Sequence, residues 1–422
     1  MFEGLTDFVN VSNHLILIGI YCILALSLNL INGSLGVFSL GHHGFMAMGA
    51  YVAAAVVWMC SSPDGSLLVF FLSLAAGMSA AALFGLLVGA PCLRLKGDYL
   101  AIATLGFAEI FIIAVRNSDR WTFVERWRHS LGQGLEKWPG GRGLGGAAGF
   151  SIGEGYNGGN DAIYRLVGES NKGRQFIYLL LIWFLVALTF ILIRNLLHSA
   201  HGRAVLAIRE DETAAEMMGV RLIRYKVMVF VIGAALAGLA GALLANFRST
   251  VSPDRFPMME GIKILLMVVL GGLGSMSGTV IAVFVLYVAE QAIGSISTPV
   301  PFPGFINGSF VIVQKTIKDL WQVAFALLLI GLMLMRPNGI LGRRELSAEV
   351  FNEFIKDWKR DPIPLVSTVV QWGQFAAALA FAGQRSWVLY LSIIVLVAIQ
   401  IFKSGWIRRR KQAEKNLAKG VA

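Results

Sequence analysis

Side chains able to do chemistry are few and scattered. The 422 residues include six histidines and three cysteines. His198 and His201 stand three apart, one helical turn, but two ligands do not make a metal site. Cys22, Cys60 and Cys92 lie in or beside apolar runs, with no disulfide or metal spacing. The dipeptide Gly-Lys never occurs, so no Walker A loop is available to cradle a nucleotide phosphate. No nucleophile is paired with a base, and an enzyme acting alone is not expected. Two features remain. One is Glu109, a lone carboxylate in an apolar run that also holds Thr104 and Gly106. A carboxylate at mid-membrane costs about 2.5–3.5 kcal/mol or more, so it should face protein or water and have a partner. It is either a polar contact in a pathway or subunit interface, or a hydrogen-bonded packing group. The other is REDETAAEMMGV, Arg209 to Val220, a compact polar stretch between long apolar runs.

That stretch reads as a short capped helix. Asp211 can cap a helix beginning at Glu212, and acidic residues suit the positive end of the helix dipole. Gly219 is placed to end it. The helix would have about two turns, ~10 Å, with Ala214, Ala215, Met217 and Met218 as its apolar surface. Arg221, Arg224 and Lys226 follow. A helix this short needs a partner surface, either its own bundle or a groove in another subunit.

The elements that must position these residues are membrane helices. The chain is 56% hydrophobic and only 14% charged, against roughly 25% charged in a soluble domain. Mean hydropathy is +0.68. Apolar runs near the ~20 residues needed to cross ~30 Å of hydrocarbon occur at 13–31, 44–60, 67–93, 99–115, 176–193, 227–246, 258–273, 276–292, 319–335, 363–382 and 387–403. The run 258–273 is the weakest, since Glu260 and Lys263 shorten its apolar part. The fold class is an all-α polytopic membrane protein of about 10–11 helices with broken or re-entrant segments. One break is expected at 32–43, NGSLGVFSLGHH, because interrupted backbone at membrane depth must be buried in protein or line a cavity. Asn29 precedes it and Ser39 and His42 lie within it, and backbone satisfaction is the favoured role over substrate contact. Gly271, Gly272, Gly274 and Gly278 predict a tight turn between short helices, with bordering a pathway as the second reading. Gly233, Gly238 and Gly241 suit close helix packing.

The net charge of +11 reads as an orientation signal rather than a nucleic-acid footprint. With the N-terminus outside, the inside segments hold 21 Lys and Arg against 6 in the short outside loops. The C-terminus is then inside. The N-terminal stretch MFEGLTDFVN lacks the basic start of a signal peptide. Loop 116–174 carries 12 glycines between Gly132 and Gly159, and reads as a flexible external insertion or a docking surface for an outside partner.

Thr213 to Gly219, TAAEMMG, matches the spacing of the EAA loop of ABC importer permeases, with Thr213 where that family often has Glu. More closely, the chain resembles the LivM-type permeases for branched-chain amino acids. The resemblance rests on YCILALSLNLINGSLGVFSLGHHGFMAMGAYVAA at 21–54, RLKGDYLAIATLGFAEI at 94–110 and GRAVLAIREDETAAEMMGVRLIRYKVMVFVIGAALAGLAGAL at 202–243. SPDRF at 252–256, ILLMVVLGGLGSMSG at 264–278 and LMRPNGILG at 334–342 continue it in order. The resemblance implies an importer's transmembrane subunit over 1–345, with residues 198–226 as the cytoplasmic coupling loop. Within it Arg209, Glu210, Asp211, Glu212, Thr213, Ala214, Ala215, Glu216, Met217, Met218 and Gly219 would meet the ATPase. It further implies a bacterial inner-membrane setting, a homologous permease subunit as partner, and an external amino-acid-binding protein. Two separate ATPase subunits would hold ATP and Mg, leaving this chain without a cofactor. Asn29, Ser39, His42, Thr104, Glu109, Gly271 and Gly272 are the candidates for pathway or interface. Residues 346–422 depart from the family as an extension with an expected helical hairpin and basic tail. Urea or short amides are the alternative substrates, and a stand-alone secondary transporter the alternative class, though it would be expected to show inverted repeats.

Overall fold

A computed structural model of the protein describes residues 3–60, 67–95, 97–118, 146, 149–151, 171–248, 250–294, 299–306 and 309–316. The expected spans 319–335, 363–382 and 387–403, the extension 346–422 and most of loop 116–174 lie outside the described residues.

Helix α1, Glu3–Asn29, is apolar on all sides along its inner half and runs into one π-helical turn, Leu30–Leu35. Helices α2, α3 and α4 span His42–Met59, Leu67–Cys92 and Asp98–Arg116. Helix α5 spans Asn171–His198, and two short helices follow, α6 at Ala200–Glu210 and α7 at Glu212–Met217. Helix α8, Leu222–Phe247, returns through the bundle. Helices α9, Met258–Gly271, and α10, Met276–Gly294, are the last α-helices among the described residues.

Among the described residues, five stretches are long and apolar enough to cross a membrane: Val11–Leu35, Leu68–Cys92, Tyr99–Arg116, Gln175–His198 and Leu222–Phe247. They divide into two classes. The first and last are 78% and 67% buried within the protein, whereas the other three are 28–33% buried. A helix that is apolar all round belongs in the interior, so α1 and α8 form the centre. Helices α3, α4 and α5 turn Leu83, Leu87, Ile102, Ile110, Phe184 and Ile191 outward, as lipid-facing helices do.

The expected span 258–273 needs correction. Helix α9 has 14 residues, about 21 Å, which falls short of the ~30 Å core. It is a buried half-helix, with Ile264 through Gly271 all inside, and it turns through Gly272–Ser275 into α10. A second difference is strand content. Pro299–Ile306 (β3) pairs antiparallel with Ser309–Thr316 (β4), Ile306 opposite Ser309. The intervening residues in the sequence are Asn307-Gly308, the pair that favours two-residue hairpins. Pro299, Pro301 and Pro303 alternate along β3. Residues two apart point their N–H groups to the same edge of a strand, so the three missing donors all fall on one edge of β3. A shorter pair, Phe150–Ser151 (β1) with Thr250–Val251 (β2), ties a middle portion of the long loop to the segment after α8.

Backbone interruption occurs after Leu35, and one asparagine and one threonine repair it. Asn32 brackets Ser39: its Oδ1 accepts from Ser39 N at 3.1 Å and its Nδ2 donates to Ser39 O at 3.3 Å. Thr104 of α4 accepts from Leu40 N at 3.2 Å. Each pairs a backbone group that hydrocarbon could not.

Close approach at the centre depends on small residues. A side chain on Gly49 would strike the backbone of Gly238, and one on Gly241 would strike the carbonyl of Met46. Helices α2 and α8 thus touch backbone to backbone, a contact that substitutes for hydrophobic driving force inside lipid. Gly106 on α4 has open space around it. Gly241→Val should therefore cost about 1–3 kcal/mol by overpacking, read as a lowered thermal midpoint of the purified protein. Gly106→Val in the same detergent should leave that midpoint nearly unchanged.

Candidate functional site

The charged stretch is built from two helices meeting at one residue. Ser199 caps α6, its Oγ accepting from Gly202 N at 3.1 Å. Asp211 then serves both helices. Its N–H closes α6 onto the carbonyl of Ala207 at 3.1 Å. Its Oδ1 opens α7 by accepting from Thr213 N at 2.8 Å and Ala214 N at 3.1 Å. Gly219, at φ +84°, ends α7 with its N–H on Glu216 O, and Val220 N bonds Ala215 O.

The faces of α7 differ. Ala215 is buried at 4% exposure, while Met217 and Met218 are 83% and 84% exposed. Thr213, Ala214 and Glu216 are exposed as well. Glu212 is held to α8 by Lys226 Nζ at 2.7 Å. One side of the helix is thus rooted in its own bundle through Ala215 and Glu212. The opposite side offers two flexible thioether side chains to solvent, the soft surface suited to an adaptable apolar contact. Ala215 therefore faces its own bundle, one of the two partner surfaces that the sequence left open. Its small size seats α7 on the protein itself. Arg209 departs from the set, since its side chain runs inward against Gly36 and Gly274, while Glu210 stays exposed.

The membrane candidates fall into connected groups. Asn29 Nδ2 donates to Ser275 O and to Thr279 Oγ1, both at 3.0 Å, and its Oδ1 accepts from Gly274 N at 2.8 Å. It thereby clamps the turn containing Gly272, whose φ is +110°. Gly271 packs directly on the backbone of Gly278 and Thr279. Ser39 is held by Asn32, and Thr104 by Leu40, as above. His42 Nε2 meets Ser27 Oγ at 2.7 Å. Glu109 pairs with His43 Nε2 at 3.2 Å; the histidine side chain is fully buried and the carboxylate 32% exposed. The structure brings Asn29 together with Gly271 and Gly272. It brings Ser39, His42 and Thr104 to the neighbouring break, with Glu109 beside His43.

Sequence reasoning missed the partners. Asn32 and His43 carried no signal beyond being polar beside a break. A further cluster joins α1, α9 and α10: Lys263 Nζ lies 2.9 Å from Glu260 and 3.2 Å from Glu290. The Tyr21 hydroxyl donates to Glu260, and Lys263 sits over the Tyr21 ring at 5.0 Å. The i, i+3 spacing of Glu260 and Lys263 was readable as a helical pair; Tyr21 and Glu290 were not. Among the described residues, no group of three His, Cys, Asp or Glu side chains is placed to hold a metal ion.

Comparison with known proteins bears on this arrangement. Residues 10–335 match the family described as "Branched-chain amino acid transport system / permease component". The high-affinity branched-chain amino acid transport system permease protein LivM of Salmonella typhimurium is 37% identical over 286 residues, 64% of this chain and 61% of that protein. LivM of Escherichia coli is 36% identical over the same shares. LivH of Salmonella typhimurium is 37% identical over 149 residues, 35% of this chain and 42% of that protein. The chain thus spans about 61% of the length of the LivM proteins it matches. No solved structure matches. With more than half of its length inside the family match and five apolar helices arranged as a multi-pass bundle, this chain belongs to the branched-chain amino acid transport permease family.

Proposed function

We propose that the chain is the transmembrane permease subunit of an ATP-driven importer for branched-chain amino acids. It would sit in a bacterial inner membrane with its N-terminus outside and its C-terminus inside. It would pair with a homologous permease subunit, receive substrate from an external binding protein, and be driven by two ATPase subunits that hold ATP and Mg. Residues 1–345 would form the transport unit and 346–422 an added segment.

The observation that carries the reading is the tip of α7. Met217 and Met218 are more than four-fifths exposed at the end of a helix of six residues. Such a helix is not stable alone, and this one is capped, pinned to Lys226 and seated through Ala215. A rigidly mounted apolar tip on a charged loop suits insertion into a groove of another subunit. A zwitterion with an apolar side chain also needs few fixed charges along its path. Beside the break the Glu109 carboxylate is matched by His43 at 3.2 Å.

The first test is gentle extraction from the native membrane, with ATPase subunits expected to accompany the chain. Reconstituted complex should then take up leucine in preference to urea and acetamide; preference for either amide would overturn the substrate assignment. Because Ala215 packs inward, its replacement would disturb the chain's own fold, and the tip is the better probe. Burying a methionine is worth about 1.5–3 kcal/mol, so Met217→Asp combined with Met218→Asp should weaken ATPase-subunit binding by about a hundredfold or more. The variant should remain folded in the membrane. Retained binding and uptake would count against the assignment. Glu109→Gln keeps an acceptor for His43 and removes a charge. Uptake by the assembled complex should fall about fivefold, equivalent to ~1 kcal/mol, and unchanged uptake with unchanged assembly would remove Glu109 from the pathway.

A further inference from the structure

Arg209 stands between the two ends of this system. It lies in the last turn of α6, two residues before the Asp211 cap of α7. Glu210 and most of α7 face outward, but the Arg209 side chain is half-buried and runs along two glycines. A Cβ on Gly36 would stand 3.0 Å from Arg209 Cγ, and one on Gly274 would stand 2.9 Å from Nη1. Both glycines hold positive φ, +76° and +94°. The stem of Arg209 therefore lies across the residue that ends the π turn, and its guanidinium reaches the turn between α9 and α10.

These two places are already one body. Gly33 of the π turn abuts the backbone of Gly274, and Asn29 bonds Gly274 N, Ser275 O and Thr279 Oγ1. Arg209 is thus a side chain by which the cytoplasmic loop touches both halves of a buried, broken-backbone junction. Its guanidinium is planar, always charged and rich in donors, so its position is fixed by geometry more strictly than a lysine's.

We propose that Arg209 is a positioning residue for coupled transport, carrying displacement of α7 to the α9–α10 turn and the π turn. This rests on the reading of the chain as an ATP-driven permease subunit. The mechanical path is short. Asp211 is the sole residue between α6 and α7 and is bonded to both. A shift of α7 therefore moves α6, and α6 moves the turn through Arg209. A two-state element biased by both ends is what coupling requires, and the glycine turn is the segment with the backbone freedom to have two arrangements.

The test compares wild type, Arg209→Met and Arg209→Lys in the complete complex, with ATPase subunits and an external binding protein loaded with leucine. The readouts are retained ATPase subunits, basal ATP hydrolysis, its stimulation by the loaded binding protein, and leucine uptake. Arg209→Met should keep its ATPase subunits and basal hydrolysis, while stimulation and uptake fall about tenfold, within the usual span of coupling energies. Arg209→Lys should retain part of the stimulation. Wild-type stimulation in a folded Arg209→Met complex would overturn the proposal. Loss of the ATPase subunits from that variant would do so too, because the side chain would then belong to the docking surface. Should Arg209→Met not fold, Arg209→Lys decides: reduced stimulation in a stable complex supports the relay, and full stimulation overturns it. A wild-type complex without leucine-stimulated hydrolysis would bring down the permease reading and this proposal together.

Discussion

A chain that breaks its helices inside hydrocarbon must supply its own hydrogen-bond partners for every freed backbone group. Here the demand is met by a few side chains at fixed positions. Asn32 bonds both backbone groups of Ser39, Thr104 takes the N–H of Leu40, and Asn29 bonds Gly274 and Ser275. Each asparagine offers a donor and an acceptor on one short stem, which is what an interrupted backbone requires. Aspartate would provide acceptors only. Leucine would leave several buried groups unpaired at about 1–3 kcal/mol each. The break between α1 and α2 and the turn between α9 and α10 are held in place by these bonds, and the packing of the surrounding helices follows from them.

That constraint explains why the bundle is layered. Helices carrying the breaks or touching them, α1 and α8, must be covered on all sides. Helices α3, α4 and α5 do part of the covering, so they carry an outward apolar face of their own. The same logic separates α9 from the long helices. At 14 residues it cannot reach across, so its ends need protein around them, and its buried run from Ile264 to Gly271 has it.

Much of this was legible from residue order, and the limits have physical causes. Asp211 and Gly219 could be read as the ends of α7 because caps are local: the cap and the amides it satisfies lie within three residues. The long helices were legible because hydropathy is additive along a chain. Partnerships were not. Asn29 meets Ser275 across 246 positions, and Tyr21 meets Glu260 across 239; nothing local encodes those distances. Ala215 and Met217 are both apolar and only two apart. On a six-residue helix no periodicity can separate the rooted face from the offered one, and only the fold around Lys226 does so. The β3–β4 pairing escaped the reading because the stretch lies between two expected spans and reads as no more than their connection.

The charged cluster at α9 adds a last step. Lys263 lies between Glu260 and Glu290, and Tyr21 closes the group from α1. Separating charges from water is costly, and a pair so placed seldom stabilises more than apolar packing would. What such a cluster does provide is registry. It ties the first turn of a half-helix to α10 and α1 at one axial position, while Asn29 ties the far end through the glycine turn. A half-helix tied at both ends is held in axial register with its neighbours and cannot slide along them.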